Sequence, residues 1–233
     1  MKTPPRFWVI VLAVTVSILR SASSLQAGIV AFDFESTPAT FISPPDSSRP
    51  GALTSLSLSN SGLSIVISRT NSTAFDIVDN NGNQAGKPAS FGNRSLDPFF
   101  SPGPNTGFIV NFSSTLSAFQ LSFGDYGQDS ETLTLNAYSG LNGTGTLLGT
   151  TTVGYDSDFP IFDTASVTAA GIRSVTWNGT SSAEGFDNSL FYDNLTATIT
   201  NRVPDTGTTA LLLGLGLVGF VGVRRVLGLQ EQV

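Results

Sequence analysis

The chain has 233 residues, 12% of them charged, a formal net charge of −6, and neither cysteine nor histidine. Without cysteine there is no disulfide framework, no thiolate nucleophile and no thiolate metal site; without histidine, Ser-His-Asp and Cys-His catalysis and His-ligated zinc are excluded. Between Gly28 and Thr200 five basic residues (Arg49, Arg69, Lys87, Arg94, Arg173) stand against fifteen acidic ones, a balance of −10, and such a surface repels phosphate backbones, so no nucleic acid is expected as a partner.

Residues 1–27 read as a signal peptide. Lys2 and Arg6 precede an apolar run of 13 residues, Phe7 to Leu19, and a small-residue stretch ends at Ala27. The run is too short to cross ~30 Å of hydrocarbon comfortably, which fits cleavage better than anchoring. Cleavage is expected after Ala27, with Ser23 as the alternative and an uncleaved anchor as the plainer reading.

Residues 28–200 suit one domain with a single core. Gly, Ser, Thr and Asn are abundant, and seventeen phenylalanines supply apolar area for a core without disulfides. Strand signals run in order through Ile29–Glu35, Leu53–Leu58, Leu63–Ser68, Phe108–Phe112, Leu116–Phe123, Thr132–Tyr138, Gly145–Val153, Ala165–Thr168, Ile172–Trp177 and Leu190–Ile199. Alternation of period two places one face on a core and the other in water. Pro44–Gly51, Asp79–Asn83 and Pro98–Asn105 read as loops or turns, because Pro and Gly cannot hold a ladder there. The expected fold class is all-β: an antiparallel β-sandwich, jelly-roll-like, flanked by an N-terminal signal helix and a C-terminal hydrophobic helix.

Carboxylate chemistry and calcium stay open. The densest acidic stretch holds Asp125, Asp129 and Glu131, and calcium prefers carboxylates clustered on loops. A second set is Asp156, Asp158 and Asp163. Neither spacing matches an EF-hand, and a solvated loop is the plain alternative for each. Asp193-Asn194 is expected to order its loop through an Asx hydrogen bond, with a ligand role as the alternative. Trp177, in SVTWNG, is a candidate sugar-stacking platform; the competing expectation is that it fills the edge of the core. Tyr126, Tyr138, Tyr155 and Tyr192 are further stacking candidates. Paired carboxylates can hydrolyse glycosides, but no pair is marked here, and the chain is expected not to be an enzyme. Six Asn-X-Ser/Thr sequons in so Asn- and Thr-rich a chain are uninformative.

The far end, residues 201–233, has its own order of parts. Val203-Pro204-Asp205-Thr206-Gly207 precedes an apolar stretch from Thr208 to Val223, then Arg224-Arg225. The stretch holds 16 residues, marginal for a span, and the arginine pair would stay on the cytoplasmic side. An ordinary C-terminal anchor is one reading. The tail resembles the VPDSG-type member of the PEP-CTERM sorting signals of Gram-negative bacteria, with Thr206 in place of the usual Ser. The resemblance implies recognition of Val203–Gly207 by an exosortase-type membrane processing enzyme, transient or permanent attachment through the hydrophobic helix, and delivery to the cell surface or extracellular matrix. The second half also resembles PEP-CTERM ectodomains through Phe123-Gly124-Asp125-Tyr126-Gly127, Ala137-Tyr138, Leu147-Leu148-Gly149 and Phe191-Tyr192-Asp193-Asn194-Leu195, which implies a β-sandwich extracellular module. The expected function is an exported structural or adhesive protein. The alternative is a carbohydrate-binding module, calcium-assisted in its fuller form, acting on extracellular polysaccharide.

Overall fold

The computed structural model describes residues 27–42, 51–79, 91–98, 107–125, 130–155, 161–181 and 190–200. The expected terminal helices, the sorting motif and the Arg224-Arg225 pair lie outside them. Within them there is no helix long and apolar enough to cross a membrane. Eleven strands appear among the described residues: β1 (Ala27–Phe32), β2 (Phe41–Ile42), β3 (Ser55–Asn60), β4 (Leu63–Arg69), β5 (Asp76–Asp79), β6 (Arg94–Asp97), β7 (Phe108–Asp125), β8 (Glu131–Tyr138), β9 (Leu147–Tyr155), β10 (Ile161–Ser181) and β11 (Phe191–Thr200). Every pairing is antiparallel except that of β2 with β5.

Two long strands organise the sandwich. The first half of β7 pairs with β4 and the second half of β10, in the order β3-β4-β7-β10-β8-β9. The second half of β7 pairs with β11 and the first half of β10, and β11 goes on to β6, β5 and β2, with β1 along its C-terminal half. Each long strand therefore serves both layers. This differs from the sequence expectation, which split β7 at residues 113–115 and β10 at 169–171. The splits mark bends, not ends. In β7 the most deeply buried positions change from even (Phe108, Val110, Phe112, Leu116) to odd (Phe119, Leu121, Phe123). A one-residue slip exchanges the two faces, and a bulge supplies that residue while bending the strand. The ladders show the matching irregularities between Thr168 and Ile172 and between Thr198 and Ile199. Gly171 takes φ +87° at the β10 bend, a conformation costly for other residues.

The core between the layers is aromatic. Phe34, Phe75, Phe91, Phe108, Phe112, Phe119, Phe123, Trp177 and Tyr192 are all buried. Each such side chain contributes on the order of 2–3 kcal/mol through the area it removes from water. On β8 the alternation survives intact: Leu133, Leu135 and Ala137 face in, and Thr132, Thr134 and Asn136 face out. β2, β5 and β6 had no sequence signal. They form because Thr40 ties the segment after β1 to β5: its amide donates to Ile77 O at 2.8 Å, and its hydroxyl donates to buried Asp76 Oδ1 at 2.8 Å and accepts from Ile77 N at 2.9 Å.

Candidate functional site

Trp177 is core, not platform. Its neighbours across the ladders, Phe108 and Leu135, point inward with it, and the residue is 1% exposed. The indole stacks on Phe108 at 5.5 Å and Phe119 at 6.3 Å between ring centroids, with Tyr192 edge-on at 5.6 Å. Phenylalanines occupy the aromatic faces that a sugar would need. This corrects the stacking expectation in favour of its packing alternative.

Of the acidic stretch, only the Glu131 side chain is described. Glu131 opens β8 opposite Ser181, points into the sandwich and is 2% exposed. Asp125 ends β7 opposite Ile161, and Asp129 lies outside the described residues. Of the second set only Asp163 is described; it is exposed and accepts from Thr164 N at 2.6 Å. No group of three or more Asp or Glu side chains is placed to hold a metal ion among the described residues.

What the sequence did not reveal is a buried ionisable cluster at one end of the aromatic core. Arg69, the last residue of β4, is 3% exposed. Its guanidinium lies 5.1 Å from the centroid of the Phe108 ring and donates to Pro98 O. Burial lowers its pKa, and neighbouring Tyr192 and Asp97 work the other way. Burial raises the Tyr192 phenol above its ordinary value; Glu131 and Asp97 raise it further, while Arg69 and the Gly179 backbone hydrogen bond oppose them. The folded domain therefore holds a proton that the unfolded chain releases near pH ~10, so this contribution to stability is present below that pH and is lost as pH rises. Alkaline titration followed by phenolate absorbance should show one of the four tyrosines silent until the domain unfolds.

A second polar corner surrounds Gly92. There Glu35 Oε1 accepts from Asn93 N at 2.5 Å and Arg94 N at 2.8 Å. The Arg94 guanidinium donates to Glu35 O at 2.9 Å and Thr37 O at 2.6 Å, and its Nε lies 3.4 Å from Asp79 Oδ2. Opposite is Asp193, 1% exposed, placed by a bulge in β11 where Asn194 takes φ +51°. Asp193 Oδ1 accepts from Asn194 N at 2.7 Å. A Cβ on Gly92 would overlap the Glu35 carboxylate and come within 3.3 Å of Asp193 Oδ2, and φ is +57°, so glycine is required twice over. Glu35 spends one carboxylate oxygen on two backbone donors. Its geometry is that of a clamp on the entry to β6.

The outer face of the β3-β4-β7-β10-β8-β9 layer has a different character. Its cross-strand rows read Ser57–Val66–Asn111–Ser174–Tyr138 and Ser55–Ser68–Ile109–Thr176–Asn136–Thr150, then Asn178–Thr134–Thr152 and Thr180–Thr132–Gly154. No charged side chain appears in any row. Thr150 donates to Asn136 Oδ1 at 2.8 Å, and the Thr134 and Thr152 hydroxyls lie 3.3 Å apart. The β8–β9 turn folds over part of this face: Asn111 and Asn142 exchange bonds of 2.7 and 2.8 Å, and Gly143 N donates to Ser174 Oγ at 3.0 Å. The strand alternation could have exposed this face in advance, since every outward position of β8 and β9 is Thr, Asn, Tyr, Leu or Gly.

No curated protein matches the chain. Among solved structures, the K2 cleaved adhesin domain of Lys-gingipain is 11% identical and aligns over 74% of this chain and 100% of its own, with a TM-score of 0.38. Another cleaved adhesin domain of Lys-gingipain, from Porphyromonas gingivalis, is 13% identical over 75% of this chain and 99% of its own, at 0.36. The Podospora anserina GH26-CBM35 β-(1,4)-mannanase is 11% identical over 77% of this chain and 29% of its own, at 0.30. At these scores the likenesses carry no functional argument. The VPDSG-CTERM motif family matches residues 202–227, and such a motif implies export and handling by a processing machinery at the membrane. The chain thus carries a VPDSG-CTERM motif, a PEP-CTERM-like sorting signal, at its C-terminus.

Proposed function

We propose that this is a non-catalytic, structural or adhesive module of the cell surface or extracellular matrix of a Gram-negative bacterium, delivered by an exosortase-type enzyme acting at Val203–Gly207. The carrying observation is the order of parts. β11 ends at Thr200, the motif begins at Val203, and the apolar stretch and Arg224-Arg225 follow at once. A folded module and a sorting motif thus follow one another directly along the chain. Intact-mass measurement of the protein recovered from its native envelope tests this. The expected product begins near Gly28 and lacks the residues beyond the motif, and the double variant Pro204→Ala, Asp205→Ala retains them. A native product that runs to Val233 in the unsubstituted chain would refute processing.

The second reading, a carbohydrate-binding module, draws support from the uncharged hydroxyl and amide face. Hydroxyl and amide groups exchange hydrogen bonds with sugars, and the absence of charge suits neutral glycans over acidic ones. Glycan-array binding with and without EDTA separates the versions. Retained binding in EDTA would eliminate calcium assistance, and no binding to any neutral glycan would eliminate the module reading.

A further inference from the structure

A sheet edge presents a row of backbone N–H and C=O groups ready to pair with another strand. Most edges here are covered or short. β9 lies against β10, where Thr151 Oγ1 donates to Ser166 O at 2.6 Å and Gly149 backs onto Val167. β2 is two residues long. β3, like β1, pairs on one side only: with β4, and, among the described residues, with no strand on the other. At its far end the Asn60 amide donates to Ala31 O of β1 at 2.7 Å, and among the described residues no strand pairs along the free side of Ser55–Ser59.

We propose that β3 is a self-association edge, at which two copies of this chain pair β3 against β3, antiparallel about a two-fold axis. Three features argue for a second copy as the occupant. First, β3 is regular: SLSLSN contains no Pro, Gly, Lys or bulge of the kind that blunts an edge. Second, Leu56 and Leu58 face the core but stay half-buried, and an axis perpendicular to the sheet brings the same leucines of the partner alongside them on the same side. Third is charge. Domains with a balance of −10 between Gly28 and Thr200 repel one another over most approaches. At this edge neither β3 nor the outward residues Ser64, Val66 and Ser68 of β4 carry charge, so two like copies meet without opposed carboxylates. A basic partner would be drawn to the acidic surface elsewhere.

The contact is small. A six-residue edge buries well under the roughly 1,600 Å² of a standard stable complex. Association is therefore weak in dilute solution and gains wherever copies are concentrated on one surface.

The absence of cysteine makes the test clean. Full-length variants Ser55→Cys, Ser57→Cys and Ser59→Cys are purified in mild detergent and oxidised, singly and in pairwise mixtures. Antiparallel pairing at any register centred on β3 brings one of these combinations face to face. That combination should form disulfide-linked dimer at least tenfold faster than the control Thr150→Cys on β9. Ser57→Lys sets like charges near the axis and should lower the dimer fraction in sedimentation at least tenfold, with an unchanged circular-dichroism melt. Trapping no faster than the control in every combination would overturn the proposal, as would a dimer indifferent to Ser57→Lys. Neither result bears on tail processing, which is read separately by mass.

Discussion

Replacing Trp177 with alanine is expected to cost about 3–5 kcal/mol of folding stability, the range for deleting a large buried aromatic. The indole fills the space between Phe108, Phe119 and Tyr192, and no neighbouring element can collapse into so wide a gap without leaving its ladder. A denaturant series on matched proteins measures this as a fall in midpoint. Tyr138→Ala, on the outer face, should stay within about 1 kcal/mol. Trp177→Phe gives a sharper reading. The Trp177 Nε1 is buried and finds no hydrogen-bond partner among the described residues. Phenylalanine removes that donor along with part of the volume, and a donor left unsatisfied in the interior costs about 1–3 kcal/mol. Its loss should offset much of the cavity, so that Trp177→Phe is far milder than Trp177→Ala. A Trp177→Ala protein with the parent midpoint would mean that the ring is not structural.

The second large effect is expected at Arg69. Arg69→Ala takes a guanidinium from a buried setting that includes Asp97 and Tyr192 and removes the ring contact with Phe108. Breaking a buried charge arrangement by deleting one member typically costs about 3–5 kcal/mol, because the opposite charge stays in low dielectric uncompensated. Arg69→Lys should recover only part of the loss. An ammonium lacks the planar fork that both donates to Pro98 O and lies against Phe108. Thermal melts of Arg69→Ala and Arg69→Lys against the parent decide it. Equal midpoints for all three would show that the cluster does not hold that end of the sandwich.

How much could be read in advance depends on the range of the interaction concerned. β8 is plain in the sequence because TLTLNAY alternates, and β4 in part, since LSIVIS alternates except at Val66; both strands keep that phase in the structure. β5 and β6 are not. DIVD and RSLD are short, charged at their ends, and extended only because each pairs with the other and because Thr40 engages Asp76. The unbroken run of β7 was hidden for a related reason. Ser113-Ser114-Thr115 looks like a turn until two layers are present to share one strand. Trp177 carried both readings in its local sequence; the packing one prevailed when its ladder partners turned out to be Phe108 and Leu135.

The candidate sites divide the same way. Nothing near Asp193 in sequence says that its carboxylate will sit beside Gly92 and Glu35, since a bulge of one residue decides which way it points. Nothing near Glu131 says that it will share a buried end with Tyr192 and Arg69.

By itself the amino-acid order determined the strand-rich composition, the exclusion of His- and Cys-dependent chemistry and the sorting tail. All three are local: they need a residue count, a period of two, or a motif within one short stretch. Tertiary structure alone decided which carboxylates are buried and which aromatic is core. Those outcomes depend on register between strands far apart in the chain, and a shift of a single residue would exchange inside for outside.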